Sequence, residues 1–263
     1  MNEQAILTHT DTFGRATLTM NRPEIHNAFD DILIASMTHE LRRLEADDSV
    51  RMVFLTASGK SFSAGADLGW MRRMADYTRE ENLADALGLA ALMNTLNSLK
   101  KPTIAIVQGA AYGGGVGLVA CCDVAIASRH ASFCLSETKL GLIPAVISPY
   151  VVEAIGPRAA RRYFQSAEMF DAAEAYRLGL VHELVAEEEL EATAERIFEA
   201  LMKNGPCAMT AAKELVARVS SGPIDEAMIR DTAGRIAAIR ASAEGKEGVG
   251  SFLEKRKPFW VKG

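Results

Sequence analysis

Twice in this chain an apolar, β-branched stretch runs through a turn of small residues into a helix start. "MVFLTAS" leads to "SAGAD" (63–67), and "TIAIVQG" leads to "YGGGV" (112–116). A strand that hands over to a helix in this way belongs to a layered α/β fold with a substantially parallel sheet. The second turn is the more demanding one. "AAYGGGVGLVACCD" sets three consecutive glycines at the start of an apolar helix and a fourth, Gly117, one turn further in. Each glycine costs a helix about 1 kcal/mol against alanine, so this helix start must require the absence of side chains. The residues alone leave two readings open. Either the glycines let helix and strand pack closely, or they expose backbone N–H groups, reinforced by the helix dipole, to a ligand.

The rest of the first two thirds fits the same alternation. "AILTHT" and "RATLTMNR" alternate apolar and polar residues around "TFG", which predicts a hairpin. Asp30 is placed to cap a helix whose apolar positions Ile34, Met37, Leu41 and Leu44 recur on one face. "VRMVFLTAS" predicts a strand, and "GKSFSAGADLGWM" a loop turning into a short helix. A helix over Glu80 to Leu99 is expected to bury Leu83, Leu87 and Ala90 or Ala91 before Pro102 stops it. Strands at "TIAIVQG", "VAIAS" and "SFCLS" follow, with the glycine-led helix among them. From Ser148 the pattern is mainly helical, with a brief strand at "LVHELV" and helices predicted at 207–219, 224–243 and 244–255. The last helices carry too few apolar positions to form a core alone, so they must pack on the first part or on another copy. This divides the chain into a core over 1–200 and a helical region over 201–263. No internal repeat has a clear period.

With 263 residues, 49% hydrophobic and 24% charged, the chain has ordinary globular composition. A net charge of −5 argues against a dedicated nucleic-acid binder, which carries a basic face. Cys121, Cys122, Cys134 and Cys207 form no CxxC pair, and the five histidines are scattered, so no metal site is expected. There is no signal-peptide pattern and no apolar run of membrane-spanning length, which reads as a soluble cytoplasmic protein. "FLTASGKS" mimics a phosphate-binding loop, but Phe54 stands where its first glycine belongs. The glycine run is not a dinucleotide fingerprint, because Leu118 replaces the last glycine.

Two turns of mainly small residues, converging on one point, would make an oxyanion hole suited to a carbonyl oxygen that gains enolate charge. The missing part is a proton-transfer group. Glu137 follows the short strand of "ASFCLSETKLGLIP", where a carboxylate is costly unless paired or used; a capping or surface glutamate is the alternative.

"NRPEIHNAF", "FSAGADL", "GAAYGGGVGLVACCDVAIAS", "FCLSETKLGLIP" and "FLEKRKPFW", in this order and spacing, resemble the crotonase (enoyl-CoA hydratase/isomerase) superfamily over almost the whole chain. The resemblance implies a spiral of ββα units with a C-terminal helical region used in trimer assembly, as a homotrimer or a hexamer of two trimers. It implies an acyl-CoA substrate whose thioester oxygen is held by the N–H groups of Ala66 and Gly114, with Glu137 as general acid/base. Ala64, Asp67 and Leu68 would lie along the CoA, and Phe252 and Lys255 would reach the nucleotide of a neighbouring copy. Coenzyme A is then part of the substrate, and no separate cofactor or metal is implied. Gly117 departs from the pattern, since hydratases of the family usually carry a first glutamate there, twenty residues before the second. Gly117 is expected to open room for a branched acyl chain. The variant motifs look most like bacterial enzymes hydrating 3-methylglutaconyl-CoA or its longer isoprenoid analogue, isohexenylglutaconyl-CoA. For a distal carboxylate of such a substrate, Arg72 and Arg73 are candidates, with a solvated helix face as the alternative. A Δ3,Δ2-enoyl-CoA isomerase using one glutamate is the rival activity, and a non-catalytic acyl-CoA or RNA-binding role the rival class.

Overall fold

The computed structural model describes residues 5–220 and 222–261. The chain opens with the expected hairpin: β1 (Ile6–Thr10) pairs antiparallel with β2 (Arg15–Met20), Thr10 facing Ala16. The Asp11 carboxylate holds the turn by accepting the N–H groups of Phe13 (2.8 Å) and Arg15 (2.9 Å). Helix α1 (Asp31–Ala46) begins at Asp30, whose side chain accepts Leu33 N–H at 2.8 Å. It buries Ile34, Met37, Leu41 and Leu44, the face its periodicity predicts.

Three ββα units follow. The first is β3 (Met52–Ala57), β4 (Ser61–Ala64) and the helices α2 (Leu68–Met74) and α3 (Arg79–Asn97). The second is β5 (Thr103–Val107), β6 (Ala110–Tyr112) and α4 (Gly114–Cys121). The third is β7 (Val124–Ser128), β8 (Ser132–Cys134) and α5 (Ser148–Ser166). Then come β9 (Phe170–Asp171), α6 (Ala172–Leu178), β10 (Glu183–Val185) and the helices α7 (Leu190–Met202), α8 (Pro206–Val219), α9 (Glu226–Ala241) and α10 (Ala243–Leu253).

Each unit sends its first strand to one sheet and its second to another. The larger sheet runs β1-β2-β3-β5-β7-β10, parallel throughout except for the β1–β2 hairpin. The smaller runs β4-β6-β8-β9, with β4, β6 and β8 parallel and β9 antiparallel. This is the mixed α/β spiral that the resemblance implies, with a helical C-terminal region. No fixed period shows in the sequence because the units differ in size: β3 and β5 start 51 residues apart, β5 and β7 only 21 (Met52, Thr103, Val124).

Two expectations need correction. The stretch before "AGAD" and the stretch "AAY" are strands, β4 and β6, rather than loop; at four and three residues they are too short to show an alternation. Leu83 and Leu87 do not face the core, being 54% and 59% exposed. Helix α3 instead buries Leu92, Met93 and Leu96 near its C-terminal end.

The chain forms two compact units. One comprises Met1–Leu99 with Thr103–Ala194, and its buried apolar core extends from Ala16 to Val181. The other comprises Lys100–Pro102 with Glu195–Gly263. There the Glu244 carboxylate accepts the N–H groups of Cys207 (3.0 Å) and Ala208 (2.8 Å), capping α8 from the start of α10. Its large apolar side chains stay mostly outside, Val216, Ile229, Ile236, Phe252 and Leu253 among them. Among the described residues, no helix is long and apolar enough to cross a membrane.

Candidate active site

The smaller sheet builds the site. Its register sets Ala64 beside Tyr112 and Tyr112 beside Cys134, so three parallel strands end in one row, neighbours standing ~4.8 Å apart. Two residues past that row lie Ala66 and Gly114, and three past it lies Glu137. Segments separated by about seventy residues of chain are thereby delivered to one edge.

The Ala66 amide is oriented by a bridge to Phe29. Phe29 N–H donates to Gly65 O (2.9 Å), and Asp67 N–H donates to Phe29 O (2.7 Å). In such a parallel bridge the flanking residues supply the bonds, and the N–H of the central residue, Ala66, points the other way. The Gly114 amide is the first of α4, and first-turn N–H groups have no acceptor within their own helix. Gly113 precedes it at φ +53°, a backbone setting that only glycine adopts readily, and is pinned by its N–H to Cys134 O (2.9 Å).

Glu137 opens a single 3-10 turn after β8. A Cβ at Gly113 would stand 3.2 Å from Glu137 Oε1, so the carboxylate lies directly over the glycine turn. Burial pushes its carboxyl above the ordinary value, only partly offset by its own backbone N–H. Its Oε2 is buried with no hydrogen-bond partner among the described residues. A buried, unmatched carboxyl is unfavourable unless function requires it. The Glu137 side chain faces Gly113 while also meeting its own backbone N–H at the start of the turn. Nearby, burial also raises the Cys134 thiol, which donates to Ala167 O at 3.3 Å.

Each glycine of the run has its own reason. A Cβ at Gly114 would lie 3.1 Å from Phe29 Cε2, and one at Gly115 would lie 2.5 Å from Ser63 O. Close packing therefore explains Gly115 and adds to the case for Gly114. Gly115 serves the approach of α4 to β4, not the approach of a ligand. Gly117 does not open room for an acyl branch. A Cβ there would collide with Ile147 Cγ2 and stand 3.0 Å from Ile147 Cβ and 3.1 Å from Met93 Cε. Ile147 and Met93 are buried and already fill the space.

The remaining predicted residues are placed as follows. Asp67 caps α2 by accepting Trp70 N–H at 2.9 Å, and Leu68 beside it is 69% exposed. Ala64 ends β4. Arg73 is held by Asp31 on the surface, and Arg72 is exposed on the same helix, as in the solvated-face alternative. Phe252 (81% exposed) and Lys255 lie at the end of the C-terminal unit. Arg256, next to Lys255, pairs with Glu247 and Glu254. Phe29 and Ile147 carried no role in the sequence reading. Phe29 sits within "NRPEIHNAF", yet nothing in its spacing indicates that its ring reaches Gly114.

Among the described residues, no three His, Cys, Asp or Glu side chains are grouped to hold a metal. A ββα spiral with glycine- and alanine-rich turns and a half-buried acid at the ends of parallel strands defines an α/β enzyme. Residues 13–263 match the enoyl-CoA hydratase/isomerase family. The fold superposes on a crystal structure of an enoyl-CoA hydratase from Shewanella pealeana with TM-score 0.95 and 47% identity, covering 98% of this chain and 96% of that one. A crotonyl-CoA hydratase from Syntrophomonas wolfei is 33% identical over 94% of each chain. A 1,2-epoxyphenylacetyl-CoA isomerase from Escherichia coli is 32% identical over 96% of this chain and 97% of its own. The chain belongs to the enoyl-CoA hydratase/isomerase family, the crotonase superfamily.

Proposed function

We propose that this enzyme adds water across the double bond of a 2-enoyl-CoA, with a branched, carboxylated acyl group such as 3-methylglutaconyl-CoA as its preferred substrate. One observation carries the reaction type. The half-buried Glu137, its carboxyl raised by burial and with Oε2 unmatched, lies against the Gly113 turn that leads into Gly114. The choice of acyl group rests on the resemblance of the motifs around these residues.

In this reading the thioester oxygen accepts both amide N–H groups, which stabilise it most when it carries enolate charge. The ionised Glu137 takes a proton from water as the water oxygen bonds to the β-carbon. The electron pair of the double bond moves through the α-carbon onto the thioester oxygen. Glu137 then returns that proton to the α-carbon as the enolate collapses, leaving a 3-hydroxyacyl-CoA. Coenzyme A enters as part of the substrate, along Ala64–Leu68, and no further cofactor takes part. Phe252 and Lys255 are proposed to contact its nucleotide from a neighbouring copy in a trimer or pair of trimers.

The filled space at Gly117 favours a second reading, Δ3,Δ2-enoyl-CoA isomerisation. With Ile147 filling that space, no carboxylate stands at the Gly117 position, and moving a proton between carbons needs only one. Incubation with 3-methylglutaconyl-CoA should yield 3-hydroxy-3-methylglutaryl-CoA, read by mass spectrometry. Absence of that product together with conversion of a 3-enoyl-CoA would replace the first reading by the second.

A further inference from the structure

The segment "NRPEIHNAF" lies far ahead of both amide turns in sequence, yet the structure ties it to each of them. Asn27 is fully buried at φ +52°, and its side-chain amide donates to Ser58 O and Ser61 O, both at 2.9 Å. Its Oδ1 accepts Arg22 N–H (2.8 Å), and its backbone carbonyl accepts Ser63 Oγ–H (2.8 Å). His26 O accepts Ala64 N–H (3.0 Å). These bonds hold β4, and the turn after it, to the 22–29 segment. Phe29 completes the link. Its backbone bonds on both sides of Ala66, while its ring atoms Cε2, Cδ2 and Cζ would lie 3.1, 3.2 and 3.3 Å from a Cβ at Gly114. One buried residue thus grips one amide turn through its main chain and braces the other with its ring.

We propose that Phe29 is a positioning residue that sets the angle and spacing between the Ala66 and Gly114 amides. The inference rests on the reading that those amides share a thioester oxygen. Any residue other than proline preserves the Phe29 backbone bonds, but only a bulky side chain keeps α4 from settling toward the turn. Loss of the ring lets Gly114 shift relative to Ala66, and donors act on developing charge only when held in place. A displacement of about 1 Å at a reacting centre can cost on the order of 10²-fold in rate.

The test uses 2,4-hexadienoyl-CoA, a conjugated thioester whose absorption moves to longer wavelength when donors polarise its carbonyl, recorded by rapid mixing before turnover. The unmodified enzyme should show the shift. Phe29→Ala should lose roughly half of it or more per bound ligand, with kcat on crotonyl-CoA down on the order of 10²-fold and KM within about threefold. Phe29→Leu, which restores part of the bulk, should fall between the two and decides the matter if the alanine variant does not fold. A role confined to stability would lower the number of binding sites and leave the shift per bound ligand intact. Full shift and unchanged kcat in the folded variants would overturn the positioning role while leaving the thioester site standing. No shift in the unmodified enzyme would overturn the thioester site and the positioning role with it.

Discussion

Gly117→Ala tests the packing of the site most directly, because one methyl group is set against two named neighbours. The new Cβ would stand 3.0 Å from Ile147 Cβ and 3.1 Å from Met93 Cε, with Ile147 Cγ2 closer still. Carbon pairs are most favourable at about 3.5–4.0 Å, so the methyl intrudes by about half an ångström or more on each. All three residues are buried; Met93 Cε ends a flexible side chain, but Ile147 is met at its Cβ and leads into α5, so relief requires the start of that helix to move. Overpacking of this kind costs about 1–3 kcal/mol, outweighing the helix propensity of about 1 kcal/mol that alanine gains over glycine. Ile147→Ala alone leaves a cavity and should cost about 2–5 kcal/mol. The double variant should be less destabilised than the two costs together, with a coupling of about 0.5–3 kcal/mol. Urea unfolding of the four proteins measures the cycle. Additive costs, or a Gly117→Ala enzyme as stable as the parent, would show that Ile147 does not occupy the space beside Gly117.

Glu137→Gln should cut turnover by about 10²–10⁴-fold while leaving calorimetric binding of butyryl-CoA largely intact; unchanged turnover would remove Glu137 from the chemistry. The same variant makes a prediction about pH. Burial raises the native carboxyl above the ordinary glutamate range, so folded enzyme binds that proton more tightly than unfolded chain. The stability this contributes is complete below the unfolded value and is lost as pH rises through the folded one. Thermal melts should therefore find Glu137→Gln more stable than the parent near pH 7, with the gap shrinking toward pH 4; a gap that widens in acid contradicts the assignment. In kcat/KM profiles of the parent, the acid limb should lie above pH 4.5. Asp30→Ala removes the α1 cap and the partner of Arg22, 2.6 Å away. The cap alone is worth about 0.5–2 kcal/mol, seen as a lower urea midpoint, and Asp30→Asn should recover the cap while still lacking the ion pair.

Much of the fold was legible because its signals are local. Asp30 announces α1, the Ile34–Leu44 spacing gives its buried face, and Gly179 ends α6 in the left-handed setting expected of a helix stop. The second strands of the first two ββα units were harder to read. β4 and β6 have four and three residues, and their identity as strands comes from lateral pairing, whereas "SFCLS" already marks β8. Leu83 and Leu87 show the limit of helical spacing, which marks an apolar stripe without saying what covers it. At the site, the residue types of Ala66, Gly114 and Glu137 pointed to a place, since small turns and an acid after a strand are unusual. The contacts of Phe29 and Ile147 were invisible, because both act by occupying space next to a glycine and leave no pattern along the chain. Gly117 was misread for the same reason: a missing side chain says that something is close, not whether it is solvent, ligand or isoleucine.

The amides of Ala66 and Gly114 are main-chain groups, so no single side-chain replacement other than proline erases them. Libraries of such replacements would mostly explore their surroundings, Phe29, Gly113 and Glu137 among them, and mutational drift works largely on the same ground. Proline would remove the donor but also fix φ and add a ring, so clean erasure calls for an ester linkage in the backbone. Glycolic acid in place of Gly114 would exchange one N–H for an oxygen and leave every side chain as it was.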